Sequence, residues 1–451
     1  MTPATPRPLI LVVIDGLTPS MLEGAIGSGE TPILAALAAH GAYRRATSVF
    51  PSLTPVCLSS IATGAHGDIH EIPHLVWYDR LEQRLVEYGS SFGAVRAAGI
   101  GQTLQDTLVN MNGQHLGAQA LTLFESLADA GLRTAAVNFT AYRGRTSHRS
   151  SLPFLGDVLG PERFFFYNLF SSDRTGAPLS WRNRPAGSID AYATAVGRWL
   201  VTRDAFDFLV FYLSDYDYAS HEHGPDTALV ALQRCDAAIG SLAEAGGGVD
   251  ALLERYAVVV MADHGQTHVY EAVSLAETYA GVDGVLPLAS NRAAHVYLRP
   301  GCRLDPRTVA ARLDTVAAAE ITLFREGSDA VARREGQELV FAPARAGGFT
   351  LSGDSSILDH PDALTRSWAA LANPNAGEIL VSAAEGYEFA DLGGGTHVGG
   401  GSHGSLVTGD TEVPLLAVGV EGTAGSIVDV APLVLSHFGV AVPAYALDRA
   451  A

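Results

Sequence analysis

The chain has 451 residues, 47% hydrophobic and 17% charged, which excludes a small motif domain and argues against a disordered chain. Twenty-nine Lys and Arg against forty-eight Asp and Glu give a formal net charge of −19. That field repels phosphate backbones and excludes a nonspecific nucleic-acid coat. Cys57, Cys235 and Cys302 are widely spaced and make no C-x-x-C, so neither a zinc knuckle nor a disulfide framework is expected. No stretch approaches the roughly 18–20 apolar residues that cross a membrane. The expectation is a soluble, cytoplasmic protein.

The first apolar run, Leu9–Ile14, ends on Asp15 and lacks a small-residue cleavage site, so it reads as a buried strand. Residues 31–40 carry a helical pattern closed by Gly41. A helix is expected over 121–130, a strand over 134–139, a helix over 189–202, a strand over 206–213 and a long amphipathic helix over 227–245. The run Y-A-V-V-V-M-A at 256–262 is apolar on every side. Such runs predict strands covered on both faces, hence a three-layer α/β sandwich with a mainly parallel central sheet. From about Ala289 the texture changes to a strand over 293–298, a helix over 305–316, a strand over 321–324 and a charged stretch, 325–337. The reading is an α+β cap at 289–385, inserted in a core made of 1–288 and 386–451. The glycine-rich segment 393–404 returns to that core, and 413–420 and 427–438 close it as strand and helix.

Open parallel sheets place chemistry at the carboxyl ends of strands. Asp15 and Asp263-His264 occupy two such ends, each followed by glycine. An isolated Asp-Gly is more often an ordinary turn, and Asp263 and His264 share a cation only in a non-extended turn, which Gly265 permits. In S-D-Y-D-Y-A-S-H-E-H-G-P (214–225), Asp217 and His221 are four apart. One helical turn puts them on one face about 5–6 Å apart, suited to a single ion. The competing reading is a polar loop in which Asp226 caps the next helix and His223 is a spectator. His397 and His403 lie in a glycine frame that is either a flexible loop or a ligand segment, and His403 is favoured because it leads back into the core. In V-F-P-S-L-T-P-V-C-L-S-S-I-A-T-G (49–64), Thr54 occupies an N-cap position, with Pro55 opening the helix and Gly64 ending it. Helix N-termini attract phosphoryl oxygens, but a threonine hydroxyl attacks at neutral pH only with help from a metal or base.

Together these motifs resemble, in order and local spacing, those of the alkaline phosphatase superfamily, most closely its type I phosphodiesterase/nucleotide pyrophosphatase branch, over residues 8–270 and 390–440. F-P-S-L-T resembles the nucleophile motif, and D-Y-A-S-H-E-H-G-P follows D-x-x-x-H-x-x-G-P. A-D-H-G and G-S-H-G resemble the remaining ligand motifs. The resemblance implies Thr54 as nucleophile, a phosphothreonine intermediate and two divalent metal ions, zinc in preference to manganese. It assigns Asp15, Asp263, His264 and the Thr54 oxygen to the first ion, and Asp217, His221 and His403 to the second. Two departures stand out. Cys57 replaces an asparagine that helps hold the phosphoryl oxygen, and an H-G-I pattern becomes His70-Glu71-Ile72.

The implied activity is hydrolysis of a small phosphodiester or nucleotide-like substrate, with no nucleic-acid polymer and no membrane as partner. A phosphomonoesterase or phosphonate hydrolase with the same metal pair is the alternative, and a catalytically silent binding protein is the alternative of another class. A sulfatase is disfavoured because C-L-S-S-I lacks the required proline and arginine, and phosphoglycerate mutases use serine where this chain has Thr54. The arginines in 143–149 either receive a second anionic group or lie in a solvated loop. Trp77 and Tyr78 either stack on a base or belong to the core.

Overall fold

The structure, a computed structural model, describes residues 6–89, 92–152, 154–167, 169–170, 189–390, 392 and 395–447. Gly393 and Gly394, the start of the glycine-rich segment, lie outside the described residues, as does the stretch 171–188.

The central sheet has seven strands in the order Ala42–Thr47, Glu412–Val418, Ala257–Met261, Leu9–Ile14, Phe208–Leu213, Thr134–Val137, Arg163–Phe165. The last five pair in parallel, while Glu412–Val418 runs antiparallel to both its neighbours. Leu9–Ile14, Phe208–Leu213 and Ala257–Met261 are buried throughout, as strands covered on both faces require. Two helical groups form the covering layers. One contains Thr54–Thr63, Leu123–Asp129 and Val430–His437; the other contains Pro19–Ser28, Pro32–His40, Ile189–Val201 and Leu229–Ala245. Ala42–Thr47 escaped the sequence reading because A-Y-R-R-A-T is an exposed edge without an apolar run. Its Arg45 pairs with Glu23 and Glu412 at 2.7 and 2.9 Å.

A second sheet is wholly antiparallel: Val285–Ser290, Ala293–Leu298, Ile379–Ala383, Ala319–Glu326, Asp329–Arg334, Gln337–Pro343, Phe349–Gly353. Tyr279, Val309 and Leu313 pack with Phe324 and Val331 in one apolar cluster, and Ile357, Leu358 and Ala370 pack with Leu323, Leu339 and Phe341 in another. Part of the charged stretch 325–337 is a strand in this sheet. Its outward arginines mask the pattern, since Ala330, Val331 and Ala332 are buried while Arg333 pairs with Asp314 and Glu338. Over 305–316, Asp305 caps a short helix, Pro306–Ala310, which tightens into a 3-10 turn at Ala311–Thr315.

The first two strands of this sheet reach into the main core, where Leu288, Ala293 and Tyr297 join the central cluster. A buried ion pair locks the joint: Arg292 Nε lies 2.8 Å from Asp410 Oδ2, both fully enclosed. Asp410 also accepts from the Ser405 amide and hydroxyl, so neither charge is left unsatisfied.

Candidate active site

Strand register builds the site. Leu9–Ile14 and Ala257–Met261 pair in parallel with Val13 opposite Met261, so Asp15 and Asp263 leave the sheet side by side. On the other flank Phe208–Leu213 feeds the helix Asp215–His223. There Asp217 and His221 share one face, with His221 Nε2 3.3 Å from Asp217 Oδ2. The close approach needs glycine at position 16, which sits at φ +70 and whose Cβ would meet Asp217 Oδ1 at 2.7 Å. Gly265 serves differently from the sequence expectation. It has no left-handed backbone, but a Cβ there would meet the Gly409 carbonyl at 2.1 Å. It is needed for crowding rather than for conformational freedom.

Thr54 is the first residue of the helix Thr54–Thr63 and Leu53 is its N-cap. The capping role considered for Thr54 therefore does not hold. Its hydroxyl is directed instead to His264 Nε2, 3.1 Å away. The same nitrogen lies 3.2 Å from Asp15 Oδ1 and 3.6 Å from Asp263 Oδ2. His403, carried in by the segment after the glycines, stacks its ring on His264 at 3.6 Å. All seven residues singled out from the sequence thus converge. Two trios place one ligand atom each within 4.8 Å of one another: Asp15, Asp263 and His264, and Asp217, His264 and His403. His221 stands just outside the second trio, its ring 5.2 Å from that of His403.

Each imidazole is oriented from behind. His264 Nδ1 bonds the Gly265 carbonyl at 3.0 Å, His221 Nδ1 the Gly401 carbonyl at 2.7 Å and His403 Nδ1 the Ser52 carbonyl at 2.8 Å. A ring that donates from Nδ1 turns the Nε2 lone pair toward the carboxylates, the arrangement that suits a metal ligand. The carboxylates are also held. Tyr212 donates its hydroxyl to Asp15, Gln266 donates its amide to Asp217, and the Gly16 and His264 amides donate to Asp263 Oδ1.

Electrostatically the site calls for positive charge. Burial, then the neighbouring Asp217, raises Asp15 above the usual carboxylate range; burial, then Asp15, raises Asp263 further. Burial opposes a charged His264, but Asp263 and Asp15 outweigh it and hold the imidazole up to about 10. Burial likewise favours a neutral Asp217, yet His221, His403 and His264 bring it below its ordinary value. Asp15 Oδ1 and Asp263 Oδ2 are buried with no hydrogen-bond partner. Orphaned carboxylate oxygens beside imidazole nitrogens are a set of donors that could hold a metal ion.

Asp15, Thr54, Asp217, His221 and His403 line a cavity of about 370 Å³, whose other walls include Leu75, Tyr88, Met111, Asn138, Phe166, Tyr167 and Asn291. Sequence reading missed Tyr212, Gln266 and Asn291, which carry no motif and acquire meaning only through contact. It left His397 aside, yet that ring stacks on His221 at 4.0 Å and bonds the buried Glu388 at 2.9 Å. Cys57, one helical turn beyond Thr54, is fully buried and does not line the cavity; its Sγ lies 3.3 Å from Ser48 Oγ. Several candidates are occupied elsewhere. Arg143 bonds Glu125 and the carbonyls of Leu116, Gly117 and Ala120, and Arg145 bonds Glu125 and Asp129. Trp77 is core, and Tyr78 packs edge-on against Tyr297. Asp226 does not cap the helix Leu229–Ala245; it meets His268 at 3.0 Å.

Known structures share this architecture. Phosphonoacetate hydrolase from Sinorhizobium meliloti 1021, solved with phosphonoformate, superposes with a TM-score of 0.64 at 20% identity, covering 97% of this chain and 96% of that one. Murine ectonucleotide pyrophosphatase/phosphodiesterase 5, an inactive variant solved with AMP, gives 0.62 at 14% identity with the same coverages. The human counterpart gives 0.62 at 15% identity, again covering 97% and 96%. At such identities the likeness concerns the fold. Among the described residues no helix is long and apolar enough to cross a membrane. The sequence profile of the type I phosphodiesterase / nucleotide pyrophosphatase family matches residues 9–406, and the chain belongs to that family.

Proposed function

We propose that this phosphoric ester hydrolase cleaves small phosphodiesters or nucleotide-like pyrophosphates, with Thr54 as nucleophile and a phosphothreonine intermediate. The observation that carries the reading is the Thr54 hydroxyl, 3.1 Å from His264 Nε2 at the mouth of the Asp15/Asp263/His264 trio. Asp15, Asp263, His264 and the Thr54 oxygen would hold one divalent cation, and Asp217, His221 and His403 a second. The mixed imidazole and carboxylate set suits zinc before manganese. When bound, such ions lower the hydroxyl's pKa and neutralise charge that develops on phosphoryl and leaving oxygens.

The chain's own groups do the positioning. Thr54 Oγ1 forms a bond to phosphorus as the bond to the first alcohol breaks, and that alcohol leaves with a proton. Water then cleaves the phosphothreonine, releasing the monoester and restoring the hydroxyl. The bonds behind each imidazole and carboxylate set the geometry before substrate arrives, so little reorganisation is needed during reaction. Leu75, Tyr88, Met111, Phe166 and Tyr167 offer an apolar wall to the organic part of a small ester. Phosphonoformate and AMP, carried by the two structural relatives, support a ligand of that size. In this reading residues 289–385 form a cap on the core, and three unpaired cysteines support a cytoplasmic setting.

Metal quantification with a substrate panel tests the proposal: a chromogenic diester, the matching monoester and a phosphonate. The expected result is about two zinc ions per chain and fastest turnover of the diester. Preference for the phosphonate would move the assignment to the phosphonate-hydrolase alternative. A chain that binds no metal and turns over none of the three would leave only the silent binding protein.

A further inference from the structure

Asn291 occupies the turn between Val285–Ser290 and Ala293–Leu298, where the second sheet reaches the catalytic cavity. It is nine-tenths buried and holds a left-handed backbone, φ +56, which costs a non-glycine residue energy and persists only where the surroundings enforce it. The enforcement is visible. The Asn291 carbonyl accepts from the Phe389 amide at 2.7 Å, and the next amide, of Arg292, donates to the His403 carbonyl at 2.9 Å. The Arg292 guanidinium is anchored on Asp410 and on the Tyr387 carbonyl. The turn is therefore clamped to the segment that carries His403.

The amide itself is oriented. Ser290 donates its hydroxyl to Asn291 Oδ1 at 3.1 Å, which turns Nδ2 toward His403 Nε2 at 3.0 Å. His403 donates from Nδ1 to Ser52, so Nε2 is an acceptor and the bond satisfies the amide. That lone pair is also the one a cation would take. A carboxamide with two N–H groups would then face the cavity beside Thr54, Asp217 and His221 and would require another acceptor.

We infer that Asn291 donates from Nδ2 to a non-bridging oxygen of the bound phosphoryl group, a catalytic contact supplied by the second sheet. The inference rests on the functional reading above and adds a residue to it. Cys57 cannot make this contact, being fully enclosed and turned to Ser48. A preorganised donor of this kind in a buried pocket is worth about 10²–10³ in turnover when it is removed.

Asn291→Gly removes the amide while keeping a residue at ease with positive φ, and Asn291→Asp keeps the shape but replaces the donor with an acceptor. Zinc content and orthovanadate affinity, measured on the zinc-loaded full chain, give a readout besides activity. Both variants are expected to keep the wild-type zinc content, to bind vanadate at least about 10-fold more weakly and to lose about 10²-fold in diester turnover. Unchanged vanadate affinity with zinc retained would overturn the inference. So would loss of one zinc equivalent, because the amide would then act only by placing His403. A wild-type chain that binds neither zinc nor vanadate would bring down the functional reading, and this contact with it, a result visible before any variant is made.

Discussion

Two groups of buried histidines flank the same helix, and they behave in opposite ways. At its start, Thr54 meets His264, which is stacked on His403 and surrounded by Asp15, Asp263 and Asp217. Further along it, Ser60 meets His70 at 3.0 Å. A second enclosed pair, His74 and His295, lies with ring centroids 4.8 Å apart where the second sheet joins the core. All of these rings except His221 are essentially removed from solvent. Burial pushes His70 down to about 3, His74 to about 4 and His295 well below the ordinary value, with only backbone or hydroxyl partners to answer it. At the site, burial acts in the same direction, but carboxylates reverse it for His264 and His221. A buried imidazole is therefore no sign of a ligand by itself. Carboxylates with unpartnered oxygens around it are.

The largest expected effect separates two positions on that helix. Thr54→Ala should cut turnover by about 10⁴-fold or more while leaving metal content intact, since the other ligands remain. Ser60→Ala removes a partner of a buried imidazole six residues further along the helix and should cost about 1–3 kcal/mol of stability with turnover near wild type. Steady-state kinetics, metal quantification and urea unfolding of both variants check the contrast. Activity surviving in Thr54→Ala would abolish the covalent route.

Next in size is the metal count. Asp217→Ala combined with His221→Ala should remove about one of two bound ions, whereas His74→Gln should retain both. Mass-spectrometric metal analysis on dialysed protein decides it. This variant also probes the geometry directly, because the tight trio around Asp217 contains His264 and His403 rather than His221. Retention of both ions would mean that neither Asp217 nor His221 is needed to hold a cation and that the grouping of ligands proposed above is wrong.

Much of this division was readable beforehand, for physical reasons. The buried strands Leu9–Ile14, Phe208–Leu213 and Ala257–Met261 announce themselves as continuous apolar runs, and Asp15, Asp217 and Asp263 follow from being at or just beyond their carboxyl ends. The i, i+4 spacing of Asp217 and His221 specifies a shared helix face before any coordinates. Strands that carry arginines on their outward positions were less legible. The edge strand Ala42–Thr47 and the interior strand Asp329–Arg334 both do so, which disguises the period. Groups that orient ligands were invisible, since Tyr212, Gln266 and Asn291 lie far along the chain from the residues they touch and belong to no spacing pattern. The role of Gly265 was misread for a related reason: crowding by Gly409 is a tertiary fact, whereas backbone freedom is the local property that sequence suggests.

The smallest effect is the most diagnostic of the joint between the sheets. His74 Nδ1 lies 3.0 Å from the Val76 carbonyl and Nε2 3.3 Å from the Ala293 carbonyl; burial outweighs both contacts and holds the ring neutral in the folded chain. Its ordinary value is 6.5 and its folded value about 4. Between these two the unfolded chain carries one more proton than the folded one. The contribution of His74 is therefore fully present above about pH 6.5 and is lost as pH falls toward 4. Stability should rise with pH in that window by up to about 1.4 kcal/mol per pH unit from this residue. Asp15 and Asp263, whose values are raised, act with the opposite sign in metal-free protein, so the wild-type slope alone mixes both groups. His74→Gln retains an amide for hydrogen bonding and does not titrate, and subtracting its urea-unfolding free energies at pH 4.5, 5.5 and 6.5 from those of wild type cancels the site carboxylates. The difference should grow with pH. A flat difference would mean that His74 is silent toward protons and that the acid sensitivity of the fold comes from other groups.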